Sequence, residues 1–349
     1  HTVDEVILCA RPDVQPQEHE PVACGGYVFE DDGIYRLIER LEGTDRVRLT
    51  NFVASIECET TIDDGLEERK LYRLTASIGE RTVVFDVNAR EFEDMRWPTE
   101  HIGGGATLFP ERNVERHVRA AIQTTSGVTA PRNRVYVHTG WIRLDGACVF
   151  LHAEGAIGSD GARDGIEVRL DGALADFALP SQSAAKNRNG AIDAVLSFLD
   201  LGPDHITVPL LAAAFRVVIA ECDFSVHLAG GSGVFKTTIA ALVQQFFGPR
   251  LHARNLPGSW SSTANSLEAL AFYAKDVLLV VDDFAPSGGA AAVGGLHQSA
   301  QRLLRAQGNR SGRGRCAPDG SLRKTRSPRG LILSTGEDTP RGASVSYTH

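Results

Sequence analysis

The spacing of hydrophobic and polar residues changes along the chain and predicts two regions of different structure. From residue 22 to about residue 180 the pattern alternates mostly as in β-strands. Residues 48–59 and 71–78 flank Asp63-Asp64-Gly65, and this turn sequence between alternating segments favours a β-hairpin. Residues 112–126 carry apolar side chains at helical spacing, so one helix is expected among the strands. The first region is therefore predicted to be a strand-rich α+β domain.

The second region alternates between helical and strand patterns, which is typical of an α/β fold with a parallel sheet. Two helices are predicted over residues 191–201 and 208–221, and a third over residues 237–247. Thr263 is expected to cap the start of another helix. Short apolar runs predict strands over residues 224–229, about 251–255, 277–282 and 331–334. We expect these strands to form one parallel sheet flanked by helices.

These patterns predict three segments. Residues 1–21 contain three prolines and several acids and are expected to be a linker. The strand-rich domain then covers residues 22–185 and the α/β domain residues 186–349, with the boundary in a Ser-, Asn- and Lys-rich stretch. The chain begins without Met and ends in Ser-Val-Ser-Tyr-Thr-His, so we expect a fragment or an altered reading frame with a truncated C-terminal sheet.

A glycine-rich segment directly follows the predicted strand 224–229. It fits the nucleotide-phosphate pattern G-x-x-x-x-G-K-[ST] except that Phe235 stands where the last glycine belongs. In such a loop, Lys236 neutralises phosphate oxygens and the Thr237 hydroxyl ligates Mg²⁺. An ordinary glycine-rich turn beside a lysine is the alternative. The predicted nucleotide-binding residues are Gly230, Gly231, Ser232, Gly233, Val234, Phe235, Lys236, Thr237 and Thr238.

Two carboxylates end the apolar run over residues 277–282. A buried parallel strand delivers such side chains to the carboxyl edge of its sheet. Asp282 is predicted to hold Mg²⁺, and Asp283 to orient or deprotonate the attacking water. Taken alone, this pattern also suits a strand that ends in a turn. The phosphate loop about fifty residues earlier favours the interpretation as a Walker B strand.

Several segments together resemble a known family. Residues 230–248, 256–286, 303–315 and 328–338 resemble a bacterial P-loop family catalogued as a domain of unknown function, related to the MCM-like AAA+ helicases of mobile genetic elements. The likeness extends over roughly residues 25–340. It implies a AAA+ ATPase that uses ATP and Mg²⁺, acts on DNA and assembles as a homo-oligomer, a hexamer in the relatives. A helicase or primase-associated ATPase of a mobile element or phage is the activity it implies.

The resemblance also implies two further site residues. AAA+ ATPases keep a polar sensor where the last predicted strand ends, and Ser334 or Thr335 stands there; we favour Thr335, although a strand running into a turn explains the pattern equally. An arginine from the next subunit completes such nucleotide sites. Arg341 is the best candidate and Arg329 the next, unless the true arginine finger lies in the missing or altered tail.

Composition narrows the class of protein. The chain has 349 residues, 42% of them hydrophobic, and a net charge of −8. No apolar stretch approaches the length that spans a bilayer, so a cytoplasmic protein without a membrane partner is expected. The cysteines at 9, 24, 58, 148, 222 and 316 lack zinc-ligand spacing, and reduced thiols are the favoured interpretation.

Positive charge is concentrated between residues 302 and 329. This basic segment contains a single acid, Asp319, and the following cations: Arg302, Arg305, Arg310, Arg313, Arg315, Arg323, Lys324, Arg326 and Arg329. Arg310, Arg313 and Arg315 lie among glycines, which predicts sequence-independent contacts to the DNA backbone. A solvated flexible loop is the alternative.

A second hypothesis for the whole chain is an ATP-dependent assembly switch that does not translocate.

Overall fold

A computed structural model describes residues 22–180, 188–312 and 324–341. The chain divides into one unit of residues 1–63 and 67–135 and a second of residues 64–66 and 136–349. The domain boundary predicted near residue 185 falls inside the second unit and stays a prediction. Phe150 and Phe177 already belong to the same hydrophobic core as Leu278 of the parallel sheet, which explains why the second unit begins earlier than residue 185.

The first unit is built from two sheets, in which the first four strands pair antiparallel and so do the fifth, sixth and seventh. One sheet has the order β1-β2-β3-β4, and another pairs β8, β5, β6 and β7 in that order. The strands are β1 (Val22–Cys24), β2 (Tyr27–Glu30), β3 (Gly33–Arg40), β4 (Gly43–Arg48), β5 (Val53–Asp63), β6 (Glu68–Ile78), β7 (Arg81–Asn88) and β8 (Arg132–Tyr136), and the helices are α1 (Ala89–Asp94) and α2 (Val114–Ile122). Antiparallel pairing of β5 with β6 confirms the predicted hairpin.

The second unit contains an antiparallel sheet and a parallel sheet. The antiparallel sheet has the order β12-β11-β10-β9. The strands are β9 (Gly140–Leu144), β10 (Ala147–His152), β11 (Gly155–Gly158), β12 (Gly161–Ala162), β13 (Glu167–Val168), β14 (Val226–Ala229), β15 (Gly258–Ser259), β16 (Leu278–Phe284) and β17 (Leu331–Gly336). The helices are α3 (Arg188–Leu196), α4 (Asp204–Ile219), α5 (Lys236–Gln244), α6 (Ala264–Tyr273) and α7 (Ala290–Gly308). Thr263 caps α6 as predicted, because its hydroxyl accepts a hydrogen bond from the amide of Ser266.

The parallel sheet positions the candidate site. Its order is β14-β17-β16-β15, and all neighbouring strands are parallel. Helices α4 and α5 contact β16, and α7 contacts β17. Because the strands are parallel, their carboxyl ends meet at one edge, which brings together the loop after Ala229 with Asp282 and Thr335. The predicted parallel sheet flanked by helices is thus present.

The strand predicted over residues 251–255 is wrong. This segment forms turns, with Leu251 N–H donating to Gly248 O and Asn255 N–H to His252 O. A side chain satisfies backbone groups at one edge of β16. Gln244 of α5 donates a hydrogen bond to Leu278 O and accepts one from Val280 N–H, each at 2.6 Å. These backbone groups point to the side where β15 pairs farther along the strand. The buried amide of Gln244 therefore satisfies two backbone groups of β16 at this edge.

Among the described residues, no helix has the length and apolar character needed to cross a bilayer. The cysteines of the described residues, Cys24, Cys58, Cys148 and Cys222, form no disulfide bond with one another.

Candidate nucleotide site

The loop between β14 and α5 folds around the ammonium of Lys236. Nζ of Lys236 donates hydrogen bonds of 2.7 Å to the carbonyls of Gly230 and Gly231. The amide of Gly230 donates to Gly336 O at the end of β17, which fixes the start of the loop to the neighbouring strand. The remaining loop residues Ser232, Gly233 and Val234 are exposed, as is Thr238 in the first turn of α5. The loop thus places a cation beside the amino end of a helix, where backbone amides favour anions.

Phe235 has a left-handed backbone conformation. Glycine adopts this conformation without steric cost, which explains why the usual pattern has glycine at this position. The φ of 61° and ψ of 18° of Phe235 lie in the left-handed region, and this residue forms the N-cap of α5. Its carbonyl accepts the helical hydrogen bond from Ile239 N–H. This conformation costs a residue with a Cβ about 1–2 kcal/mol. The aromatic side chain is 72% exposed, so little packing offsets that cost.

Asp282 is the meeting point of two hydroxyls from different elements. Thr237 Oγ1, in the first turn of α5, donates to Asp282 Oδ1 at 2.9 Å. The hydroxyl of Thr335, on the neighbouring strand β17, donates to the same carboxylate oxygen. A carboxylate and a hydroxyl are hard oxygen donors of the kind that Mg²⁺ prefers. The donor set therefore fits the predicted ion, with Thr237 and Asp282 as the residues that would hold it.

Asp283 lies in a bulge of β16. The pairing of β16 with β17 shifts register between Val281 and Phe284, and Asp283 has a positive φ of 66°. Its amide donates to Thr335 Oγ1 at 3.3 Å, while its side chain is exposed. A bulge re-aims the side chain of the extra residue. The two adjacent carboxylates therefore take different environments, with Asp282 bonded inside the site and Asp283 open to solvent.

Ser334 and Thr335 occupy opposite faces of β17. Thr335 points to Asp282, whereas the buried Ser334 hydroxyl accepts from Trp260 Nε1 at 2.8 Å and contacts His227 Nδ1 at 3.0 Å. Burial lowers the pKa of His227 below its ordinary value of 6.5. Of the two sensor candidates, the strand alternation therefore brings Thr335 to the site and takes Ser334 away from it. Sequence reasoning missed Gln244, His227 and Trp260 as supporting residues, because only the pairing of distant segments reveals their roles.

Both arginine-finger candidates are engaged within this chain. Arg341 pairs with Asp338 at 3.1 Å, and its backbone amide donates to His297 Nδ1 at 3.0 Å. Its side chain is mostly exposed. Arg329 forms a two-nitrogen bond to Asp276, with distances of 2.6 and 2.9 Å. Asp276 precedes β16 and so lies at the sheet edge opposite to Asp282, which gives Arg329 a structural role in its own subunit.

Many described cations of the basic segment have carboxylate partners from elsewhere in the second unit. These pairs are Arg302 with Glu268, Arg310 with Glu221, Arg326 with Asp64 and Arg329 with Asp276. Glu221 precedes β14 and Asp276 precedes β16, so Arg310 and Arg329 lie at the amino edge of the parallel sheet, away from the phosphate loop. Arg313 and Arg315 fall outside the described residues. The local surplus of positive charge is therefore smaller in the fold than in the sequence.

Comparisons with known proteins give two similarities. A profile of the family described as Domain of unknown function (DUF927) matches residues 203–327, which include the phosphate loop and both aspartates of β16. The solved structure named "SCCmec type IV Cch - active helicase" is similar over 91% of this chain, with 15% sequence identity and a TM-score of 0.44. The chain spans 55% of that protein. No curated protein matches.

Proposed function

We propose that this protein binds and hydrolyses ATP with Mg²⁺ and couples hydrolysis to movement along, or remodelling of, DNA. The observation that carries the ATPase part is the convergence of Thr237 and Thr335 on Asp282 beside Lys236. A phosphate loop, a carboxylate and a polar sensor at one sheet edge form the minimal set for phosphoryl transfer to water. The match to a family of unknown function over this segment is compatible with such an activity.

Each residue has a distinct part in this proposal. Lys236 exchanges its loop carbonyls for phosphate oxygens and balances their charge. Thr237 and Asp282 would hold Mg²⁺, which when bound would supply further charge neutralisation of the phosphates. The exposed Asp283 carboxylate orients the attacking water and accepts its proton as the new O–P bond forms and the bond to ADP breaks. Thr335 holds Asp282 and the Asp283 amide together, so it acts as the polar sensor.

The DNA part of the proposal rests on the basic segment. Its members Arg310, Arg313 and Arg315 would contact backbone phosphates without reading sequence. Assembly into a homo-oligomer, with Arg341 reaching the nucleotide of a neighbour, is proposed by resemblance. The exposed side chain of Arg341 is compatible with that role.

An ATP-dependent assembly switch is the second candidate function. The pairing of Arg302, Arg310 and Arg326 with carboxylates favours it, because paired cations offer less charge to DNA. Strain at Phe235 and the solvent exposure of Asp283 also suit slow hydrolysis.

ATP turnover measured with and without single- and double-stranded DNA separates the two candidates. A DNA-dependent rise in turnover supports the motor. Tight MgATP binding with slow turnover that DNA does not change supports the switch. An absence of MgATP binding contradicts both.

A further inference from the structure

A directed chain of hydrogen bonds runs beside the nucleotide site without including its proposed catalytic groups. It begins at Trp260, whose indole Nε1–H can only donate, and which donates to Ser334 Oγ. At the other end, His227 Nε2 lies 3.0 Å from the carbonyl of Asp338, which can only accept. His227 Nε2 must therefore carry a hydrogen.

The two ends fix the direction of the middle bond. A neutral imidazole that donates from Nε2 accepts at Nδ1, so the Ser334 hydroxyl donates to His227 Nδ1 over 3.0 Å. All groups in the chain then have the partner that their chemistry requires. A proton on Nδ1 would leave the buried Ser334 hydroxyl hydrogen without this acceptor. Burial of His227 also disfavours protonation at Nδ1, because it lowers the pKa of the ring. The carboxylate of Asp338 is the charged group that favours protonation.

This series of hydrogen bonds connects the ends of the structural elements that form the site. His227 and Ser334 are partners in the pairing of β14 with β17, and the phosphate loop begins three residues after His227. Thr335, which bonds Asp282, directly follows Ser334 in β17. Asp338 in turn pairs with Arg341, whose amide is bonded to His297 of α7. His227 also contacts Phe284 ring to ring, and Phe284 contacts His297 in the same way.

We propose that His227 is a positioning residue that ties the strand before the phosphate loop to the segment of residues 337–341, which carries Arg341. If nucleotide binding displaces β14 relative to β17, this tie transmits the displacement through Asp338 to Arg341. That transmission rests on the ATPase function proposed above. The tie between His227 and Asp338 does not depend on that function, because its hydrogen bonds are formed within the polypeptide without nucleotide.

Amide hydrogen exchange of Glu337, Asp338, Thr339 and Arg341, measured without nucleotide, tests the tie. Gln at position 227 can donate from Nε2 to Asp338 O, whereas Asn is too short to reach that carbonyl. His227→Asn is therefore expected to accelerate exchange in this segment roughly tenfold, the scale of removing one buried hydrogen bond, and His227→Gln to leave it close to wild type. His227→Leu should behave as His227→Asn, and His205→Gln, at an exposed position on α4, serves as the control.

The comparison of Gln with Asn separates positioning from space filling and does not require the Leu variant to fold. Equal acceleration in the Gln and Asn variants, or no acceleration in either, overturns the proposal. A second set of samples with MgATP keeps the two proposals apart. Protection of residues 230–238 by MgATP tests the nucleotide site alone, whatever happens at residues 337–341.

Discussion

Thr237 Oγ1 and Asp282 Oδ1 are joined by a hydrogen bond of 2.9 Å, although the two residues are 45 positions apart in the chain. The bond links the first turn of α5 to the carboxyl end of β16. It places a carboxylate oxygen and a hydroxyl oxygen side by side, next to the loop whose carbonyls bond Lys236. The parallel sheet therefore brings together the two oxygen donors that we propose to hold Mg²⁺.

Asp282 and Asp283 should respond differently to loss of charge. Asp283→Asn is expected to retain MgATP binding while turnover falls by about 100-fold or more, the usual scale for losing a general base. Asp282→Asn should weaken MgATP binding itself, because this carboxylate bonds both Thr237 and Thr335. Binding by calorimetry and turnover by phosphate release measure the two effects. Unchanged turnover in both variants would remove the Walker B assignment.

Phe235→Gly should stabilise the protein. Relief of the left-handed conformation gains about 1–2 kcal/mol, and the greater freedom of glycine in the unfolded chain costs about 0.5–1 kcal/mol. The net rise in the free energy of unfolding is expected to be roughly 0.5–1 kcal/mol, measured by urea unfolding. Phe235→Ala keeps the conformational cost and is the control, for which no rise is expected. A drop in stability of the Gly variant would mean that the exposed ring packs against the protein in a way that matters.

Stability should depend on pH through His227. Because burial lowers its pKa in the folded protein, the unfolded chain takes up a proton first as the pH falls below the ordinary value of 6.5. The contribution of neutral His227 is complete above that pH and is lost as the pH falls toward the folded-state pKa. The free energy of unfolding should drop by up to about 1.4 kcal/mol per pH unit in this window.

His227→Gln should reduce that slope. His117 and His152 also have pKa values lowered by burial, and both are present in wild type and variant. The difference between the two proteins, from urea unfolding at about pH 7.5 and about pH 5.5, therefore isolates His227. Identical pH dependence would show that His227 exchanges no proton between the two states.

Arg310, Arg313 and Arg315 are proposed to contact DNA, and Arg310 should contribute little to the affinity because Glu221 already pairs with it. Replacing all three with Ala is expected to weaken DNA binding similarly for different sequences. It should also flatten the slope of log affinity against log salt by about 0.9 for each duplex phosphate that the variant no longer neutralises. Arg310→Ala alone should change the slope least. An unaltered slope in the triple variant would leave the segment as a solvated connector and favour the assembly switch.

The sequence predicted the parts of the second unit that depend on local pattern. The apolar runs before Asp282 and Thr335 predicted β16 and β17, because a strand buried on both faces leaves a continuous hydrophobic signature. The run over residues 251–255 carried the same kind of signal without forming a strand. The side chain of Gln244 bonds the edge of β16, and no local pattern reports that a side chain will satisfy a strand edge.

Features that depend on contacts between distant segments could not be predicted from the sequence. Strand alternation places Ser334 and Thr335 on opposite faces, but only the fold decides which face holds Asp282. The basic segment is another example, since Glu221 and Glu268 meet their arginines only through tertiary structure. Charge counted along the sequence takes no account of such pairs.

Lys236→Ala tests the central claim most directly, because the proposed function makes Lys236 the cation that binds phosphate. MgATP affinity should fall at least about tenfold, the scale of removing charge-assisted hydrogen bonds, and ATP turnover should disappear. Lys70→Ala, which removes a lysine from the first unit, is the matched control and should bind and hydrolyse ATP as wild type does. Wild-type affinity and turnover in Lys236→Ala would contradict the assignment of residues 230–237 as a phosphate-binding loop.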